Sequence, residues 1–142
     1  MQMKKKSLIL IIVLCVILAL SLLFALTRRE KAEIAYGTSE LYSHAEMDSA
    51  IKEIQKTFST FGGCKLYSLR YTSDELCQSQ LEYCNTLAPE GTAYDACIVF
   101  DSRFRSPIAG GGTWNPNEIY TWTWYLARTK NGDWELLTYG YA

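Results

Sequence analysis

Residues 7–27 read SLILIIVLCVILALSLLFALT, a run of 21 residues without a charged side chain. At about 1.5 Å of rise per residue, a helix of this length spans about 31 Å, close to the ~30 Å hydrocarbon core of a bilayer. A helix also satisfies its own backbone hydrogen bonds, which lipid requires. The run therefore predicts a membrane-spanning helix that is retained as an anchor, with the lipid bilayer as its partner.

An N-terminal apolar run has two other interpretations, a cleaved signal peptide and a lipoprotein signal. A cleaved signal peptide usually has an apolar core of about 7–15 residues, shorter than this run, and Ala19-Leu20-Ser21 is a weak cleavage site. A lipoprotein signal would acylate Cys15, but that modification needs a small residue before the cysteine, and Leu14 is large. The length and the flanks of the run favour the anchor over both alternatives.

Basic residues flank the helix on both sides and bear on its orientation. Lys4–Lys6 precede it, while Arg28, Arg29 and Lys31 follow it. The first cluster and the α-amino group favour a cytoplasmic N-terminus, and the second cluster opposes this. We predict a single-pass cell-membrane protein with an inside N-terminus. The predicted organisation is a cytoplasmic tail (1–6), a membrane helix (7–27), a linker (28–42) and a domain outside the cytoplasm (43–142).

The charge of the outer segment excludes one class of partner. All 15 acidic residues lie at or beyond Glu30, and three of the 14 basic residues precede the apolar run, which leaves 15 acids against 11 bases from Arg28 onward, a net charge of −4. A sequence-independent nucleic-acid binder needs a basic surface. The chain also has one histidine, which excludes mechanisms that need two imidazoles and a histidine-rich zinc site. We predict no metal and no cofactor.

Patterning beyond the linker predicts a small α+β domain. Ser43 and Glu46 form a capping box at the start of a helix that Gly62-Gly63 would end. Asn131-Gly132 predicts a two-residue hairpin turn with positive φ angles. The predicted order after the membrane helix is helix, strand, helix, strand, strand, strand, with the helices packed on a curved, largely antiparallel sheet. The other predicted segments are strand 64–71, a helix opened by Ser73-Asp74-Glu75 and ended by Pro89, and strands 93–104, 118–128 and 134–141.

Four cysteines lie in the outer segment, and their state is open. They are Cys64, Cys77, Cys84 and Cys97. An even number of cysteines outside the cytoplasm permits two disulfides with three possible pairings. The alternative is that these residues are small buried hydrophobic side chains. A zinc site is disfavoured because the chain has no CxxC pair and no clustering of cysteine with histidine.

Few residues are candidates for catalysis, and none is predicted to be catalytic. His44 falls in the first turn of a helix, where a solvent-exposed position is the expected role. Asp95 and Asp101 lie six positions apart on one predicted strand, about 20 Å by strand rise, so they cannot act as one carboxylate pair. Either aspartate alone could serve as a base in a pocket, although solvated positions near the strand ends fit both.

The predicted ligand-binding residues are aromatic and basic. Trp122 and Trp124 share a strand face with Tyr120 and Leu126, a stripe that fits the core or its edge but can also stack on a ligand. The irregular segment 105–117 is long for a small domain, as binding loops and lids often are. Within and beside it, Arg103, Arg105 and Trp114 are predicted to clamp an anion or stack on a ligand.

Several segments together carry a resemblance to known proteins. They are the helix ending in Gly-Gly, the stretch Gly63-Cys64-Lys65-Leu66-Tyr67-Ser68-Leu69-Arg70-Tyr71, the Gly-rich loop into Trp114-Asn115-Pro116-Asn117, and the hairpin 120–141. Over residues 43–142 the chain resembles uncharacterised secreted or membrane-anchored proteins of Gram-positive bacteria. Its element order is similar to cystatin-like domains of the nuclear transport factor 2 type. The resemblance implies a cone-shaped sheet with a pocket, used by some members for binding and by a few for isomerase or dehydratase chemistry.

Three functions follow from these patterns. The leading hypothesis is a membrane-anchored, non-catalytic domain that binds a small molecule, a glycan or a protein. The second is a small isomerase- or hydrolase-type enzyme that uses a pocket carboxylate or tyrosine. The third is a structural or assembly role. A carboxylate facing an enclosed apolar cavity would favour the enzyme, and a sheet interior filled by Trp and Leu would disfavour it.

Overall fold

A computed structural model describes residues 2–27 and 31–141 of the chain. The chain divides into two compact units, Met1–Lys31 and Ala32–Ala142, and each is described by itself. Arg28 and Arg29, which bear on the predicted orientation, lie outside the described residues, as do the ends of the predicted tail and domain, Met1 and Ala142.

The first unit is one long helix, α1 (Gln2–Thr27). Its segment Ser7–Ala25 is long and apolar enough to cross a membrane, and none of it is buried within the protein. Ser21 satisfies its hydroxyl by donating to Leu18 O at 2.9 Å. A helix that is apolar on all sides suits a lipid surrounding. The predicted apolar helix is confirmed, whereas its location in lipid and its orientation stay predictions.

The second unit contains a five-stranded sheet in the order β1-β2-β3-β4-β5. Strand β1 runs parallel to β2, and the other neighbours are antiparallel. The mixed α+β class and the largely antiparallel sheet are therefore confirmed, and the predicted curvature stays a prediction. The strands are β1 (Glu33–Ala35), β2 (Lys65–Tyr71), β3 (Ala96–Arg105), β4 (Ile119–Arg128) and β5 (Glu135–Gly140).

Helices cover both faces of the sheet. Helix α2 (His44–Phe58) packs on the face that carries Phe104, with the rings of Phe58 and Phe104 5.3 Å apart. Helices α3 (Asp74–Ser79) and α4 (Leu81–Thr86) lie on the opposite face, where the ring of Tyr83 lies 5.5 Å from that of Tyr125. We call these the α2 face and the α3–α4 face. The largest fully buried side chains are Trp124, Phe100, Phe104, Met47, Ile54, Leu69, Ile98 and Leu126.

The capping box predicted at the start of α2 is present. The Ser43 side chain accepts from the Glu46 backbone N–H, and the Glu46 carboxylate accepts from the Ser43 backbone N–H at 2.9 Å. Two of the unpaired donors of the first turn are thereby satisfied. The helix ends at Phe58, four positions before Gly62.

The predicted element order needs two corrections. The segment expected to be a linker contains β1, whose Ile34 pairs with Leu69 and packs against the core. Three residues are too few to show a strand periodicity, so the sequence gives no signal for β1. The second predicted helix is divided into α3 and α4 at Gln80. Near the break, the Ser79 hydroxyl donates to Leu76 O, which competes with the helical backbone hydrogen bonds.

A β-bulge breaks the strict alternation of faces along the predicted strand 64–71. The register shifts between Leu66 and Ser68, so that Leu66 pairs with Phe104 while Leu69 pairs with Ser102. Tyr67 is the extra residue. Since side chains alternate with a period of two, one inserted residue brings Leu66 and Leu69 to the same buried face, whereas strict alternation separates them.

The β4–β5 hairpin is confirmed, but its turn differs from the prediction. Strand pairing ends at Ala127 and Glu135, and the turn hydrogen bond runs from Gly132 N to Thr129 O. Gly132 is not among the glycines with positive φ, and Asn117 is the non-glycine residue with positive φ in the described chain. The wider connection lets Trp134 reach α2, where its Nε1 donates to Glu46 O at 3.1 Å.

Candidate binding surface

The predicted clamp of arginine and tryptophan does not form, because strand alternation separates its members. Arg103 and Arg105 lie on the α3–α4 face of β3, whereas Phe104 lies on the α2 face. Trp114 packs 5.7 Å from the ring of Phe104 and 5.4 Å from that of Trp122. The arginines and the tryptophans are therefore on opposite sides of the sheet and cannot contact one small ligand together.

The two arginines belong to a separate basic cluster around Tyr67. The guanidinium groups of Arg103 and Arg105 lie 5.6 and 5.9 Å from the centre of the Tyr67 ring, and the Lys65 ammonium lies 5.4 Å from it. Arg105 also donates to Asn117 Oδ1 at 3.0 Å. Cation–π contacts of this kind hold both arginines against the Tyr67 ring, while the Nε of Arg105 is buried without a hydrogen-bond partner among the described residues.

Trp124, one of the predicted ligand-binding residues, is a core residue. Its side chain is 0% exposed. The indole Nε1 donates to Ser102 Oγ at 2.8 Å, and Ser102 in turn donates to Trp122 O at 3.1 Å. A ligand cannot reach this ring while the domain is folded.

The Gly-rich connection between β3 and β4 is held by its own hydrogen bonds. Ser106 is 2% exposed and closes the base, accepting from Glu118 N at 2.8 Å and donating to Asn115 O at 2.6 Å. Gly110 has a φ of +70°, and a Cβ there would lie 2.9 Å from Trp114 O. Only glycine fits this approach without strain. The loop thereby returns the Trp114 ring to the α2 face.

Five aromatic rings meet at the end of the α2 face beyond helix α2. We call Phe61, Trp114, Trp122, Tyr139 and Tyr141 the aromatic surface. Trp114 lies 5.7 Å from Phe61, and Trp122 lies 5.7 Å from Tyr139 and 6.0 Å from Tyr141. Tyr139 is 40% exposed and Tyr141 74% exposed, while the other three rings are half-buried. The rings therefore form one continuous patch that solvent reaches.

One polar atom within the aromatic surface lacks a partner. The indole Nε1 of Trp122 is buried and has no hydrogen-bond acceptor among the described residues. Buried polar groups in proteins nearly always have a partner, and leaving one unpaired costs about 1–3 kcal/mol. The unpaired donor therefore belongs to a ring of the aromatic surface but is not itself reached by solvent.

The polar residues that the sequence offers as candidates for catalysis have structural roles. Asp95 accepts from Lys130 N at 2.8 Å and so fixes the hairpin turn. Asp101 pairs with Arg70 at 3.0 Å and accepts from the Thr123 hydroxyl at 2.9 Å. His44 is exposed and stacks on Tyr36 with ring centres 4.3 Å apart.

An open cleft of about 460 Å³ lies between α2 and the hairpin, and two of its charged residues, Glu46 and Arg128, pair with each other. Glu46 accepts from Arg128 at 2.5 Å, and the Arg128 guanidinium lies 4.3 Å from the centre of the Trp134 ring. The hydrogen bond from Arg128, followed by those from Ser43, lowers the pKa of Glu46 to about 2. This network ties α2 to β4 and the hairpin, which indicates a stabilising role.

The four cysteines of the domain are free thiols in the structure. Cys77, Cys84 and Cys97 are buried, and Cys64 is half-buried just before β2. Burial raises the pKa of Cys64 and of Cys77. Within residues 2–27 and 31–141, no three His, Cys, Asp or Glu side chains are grouped so that they could hold a metal ion.

Sequence reasoning missed Phe61, Tyr139 and Tyr141. A two-residue turn at Asn131-Gly132 would place Tyr139 opposite Trp124, and this pair is observed. Counting back from the turn would thus have placed Tyr139 beside the tryptophan stripe. Phe61 follows the end of α2, and we find no sequence signal for its position.

Comparison of the chain with family models, with curated proteins and with solved structures gave no match.

Proposed function

We propose that the chain is a single-pass membrane protein that holds a non-catalytic binding domain outside the cytoplasm. The apolar helix α1 supports the anchor, and Lys4–Lys6 support the inside N-terminus. The carboxylates of Asp95 and Asp101 have partners within the sheet and the hairpin, which favours binding over isomerase or hydrolase chemistry. The cystatin-like resemblance is part of this proposal and provides a precedent for binding.

The aromatic surface is the proposed binding site, and a neutral saccharide is the proposed ligand. The observation that carries this proposal is the continuous patch of exposed and half-buried rings from Trp114 to Tyr141. Flat aromatic faces stack on the C–H faces of sugar rings, and tyrosine O–H and indole N–H groups pair with hydroxyls. The net charge of −4 on the outer segment disfavours an anionic polymer.

A saccharide also supplies what the Trp122 indole lacks. Its Nε1 is buried, so a sugar hydroxyl becomes its acceptor only when the rings around it shift, and the pairing then recovers the cost of leaving the donor unpaired. The rings of Trp114 and Tyr141 lie 5.4 and 6.0 Å from that of Trp122. They are therefore expected to stack on the sugar, with Trp122 beneath it.

We expect Tyr141→Ala and Trp114→Ala each to raise the Kd for a neutral oligosaccharide about tenfold, since one lost stacking contact is worth about 1 kcal/mol or slightly more. The full chain in lipid nanodiscs is titrated with cellohexaose and with chitohexaose by calorimetry. Tyr141 is 74% exposed, so its removal leaves the fold intact.

The matched control is Tyr67→Ala, which removes a tyrosine ring from the opposite face and is expected to leave the Kd unchanged. Loss of affinity in Tyr67→Ala but not in Tyr141→Ala would move the site to the basic cluster. Absence of heat with both sugars would reject the saccharide as ligand. Concentration-dependent self-association abolished by Tyr141→Ala would instead assign the surface to assembly.

A further inference from the structure

Two thiols from different elements meet in the core under the α3–α4 face. Cys84 lies on α4 and Cys97 on β3, and their sulfur atoms are 2.9 Å apart. Both residues are buried, at 0% and 1% exposure. Because a disulfide joins its sulfurs at about 2.05 Å, bond formation needs a movement of under about 1 Å.

Hydrogen bonds next to the two cysteines hold α4 to the segment that leads into β3. Asn85, adjacent to Cys84, donates from Nδ2 to Tyr94 O at 3.1 Å and accepts at Oδ1 from Tyr94 N at 2.8 Å. The two cysteines are 13 positions apart in the chain. The hydrogen bonds between Asn85 and Tyr94 therefore close the loop between the two cysteines, whether or not the sulfurs are bonded.

We infer that Cys84 and Cys97 form a disulfide in the folded domain. The sequence alone leaves the pairing of the four cysteines open. Cys77 lies against Tyr71, Thr72 and the backbone of Val99. Cys64 lies before β2 and is half-buried. The inference rests on the fold of the domain and is independent of ligand binding, while the oxidising conditions outside the cytoplasm would favour the bond.

The oxidation balances with a small-molecule disulfide as the oxidant. During folding, before the pair is buried, the Cys84 thiolate attacks oxidised glutathione, forms a mixed disulfide and releases one reduced glutathione. The Cys97 thiolate then attacks the Cys84 sulfur and releases the second. Two protons and two electrons pass to the glutathione. The hydrogen bond between the thiols lowers the pKa of Cys84 and raises that of Cys97.

The test maps the bond in the full chain. The reduced protein is unfolded in urea and refolded into detergent micelles with oxidised and reduced glutathione, then alkylated and digested after glutamate. Cleavage at Glu75, Glu82 and Glu90 separates the cysteines into peptides 76–82, 83–90 and 91–118. We expect a linked pair of 83–90 with 91–118 to exceed every other cysteine-linked pair, and to separate on reduction with dithiothreitol.

Two controls make the result specific to the fold. The same oxidation of the chain denatured in urea should give a mixture of pairings, and Cys77→Ala should keep the native link. A native chain that gives the mixture of the denatured chain would overturn the inference. So would a dominant link of 76–82 to 91–118, or free thiols at both positions.

Discussion

Replacing Trp124 by alanine should lower the free energy of unfolding by about 4 kcal/mol, which corresponds to a fall in Tm of about 15 °C for a domain of this size. Trp124 heads the fully buried side chains by volume. Its ring stacks on Tyr139 at 4.7 Å and on Phe61 at 6.1 Å. Truncation leaves a cavity that these neighbours fill only in part, and it removes the donor to Ser102.

The loss is measured by chemical denaturation of the full chain in detergent, with tryptophan fluorescence as the probe of the outer domain. Tyr141→Ala, which removes a ring that is 74% exposed, should change the free energy of unfolding by less than about 0.5 kcal/mol. A Trp124→Ala variant as stable as Tyr141→Ala would mean that the ring is not in the core.

Replacing Glu46 by alanine should cost about 2 kcal/mol. One part is the capping box with Ser43, since losing a helix cap costs about 1 kcal/mol. The other is the charged hydrogen bond from Arg128, whose two side chains are 25% and 35% exposed. Because this exposure lets solvent screen the pair, we assign about 1 kcal/mol to the bond. The control is Glu53→Ala, which breaks an exposed pair with Lys56 and should cost under about 0.5 kcal/mol.

The lowered pKa of Glu46 predicts that the free energy of unfolding depends on pH. Its pKa is about 2 in the folded domain, against an ordinary value of 4.5. Between these values the unfolded chain binds the proton and the folded chain does not, so stability falls as pH falls from about 4.5 to 2. Glu46→Gln should flatten that part of the denaturation profile. An unchanged slope in Glu46→Gln would show that Glu46 does not hold its charge in this network.

Much of the fold could be predicted because its signals are local. The apolar run of α1, the Ser43–Glu46 capping box and the alternation along β4 each depend on neighbouring residues, and each corresponds to an observed element. Strand β1 could not be predicted, because three residues in an extended conformation owe their strand to pairing with β2 rather than to their own pattern.

The binding surface was predictable only in part, for a geometric reason. Arg103 and Arg105 are near Trp114 in sequence, but they leave β3 on the face opposite to Phe104 and its aromatic neighbours. Nearness in sequence therefore suggested a clamp that the pleat of the strand prevents. Tyr139 and Tyr141 reach the surface because of the register of the β4–β5 hairpin. The pattern within one strand does not show that register.

The central claim is tested most directly by measuring on which side of the membrane the domain that carries the aromatic surface lies. An epitope added after Ala142 of the full chain is probed with antibody on intact, washed protoplasts of a host bacterium, before and after permeabilisation. We predict full labelling before permeabilisation, retained on the cells after washing. Labelling that needs permeabilisation, or an epitope found in the medium, would contradict a domain tethered outside the membrane by α1.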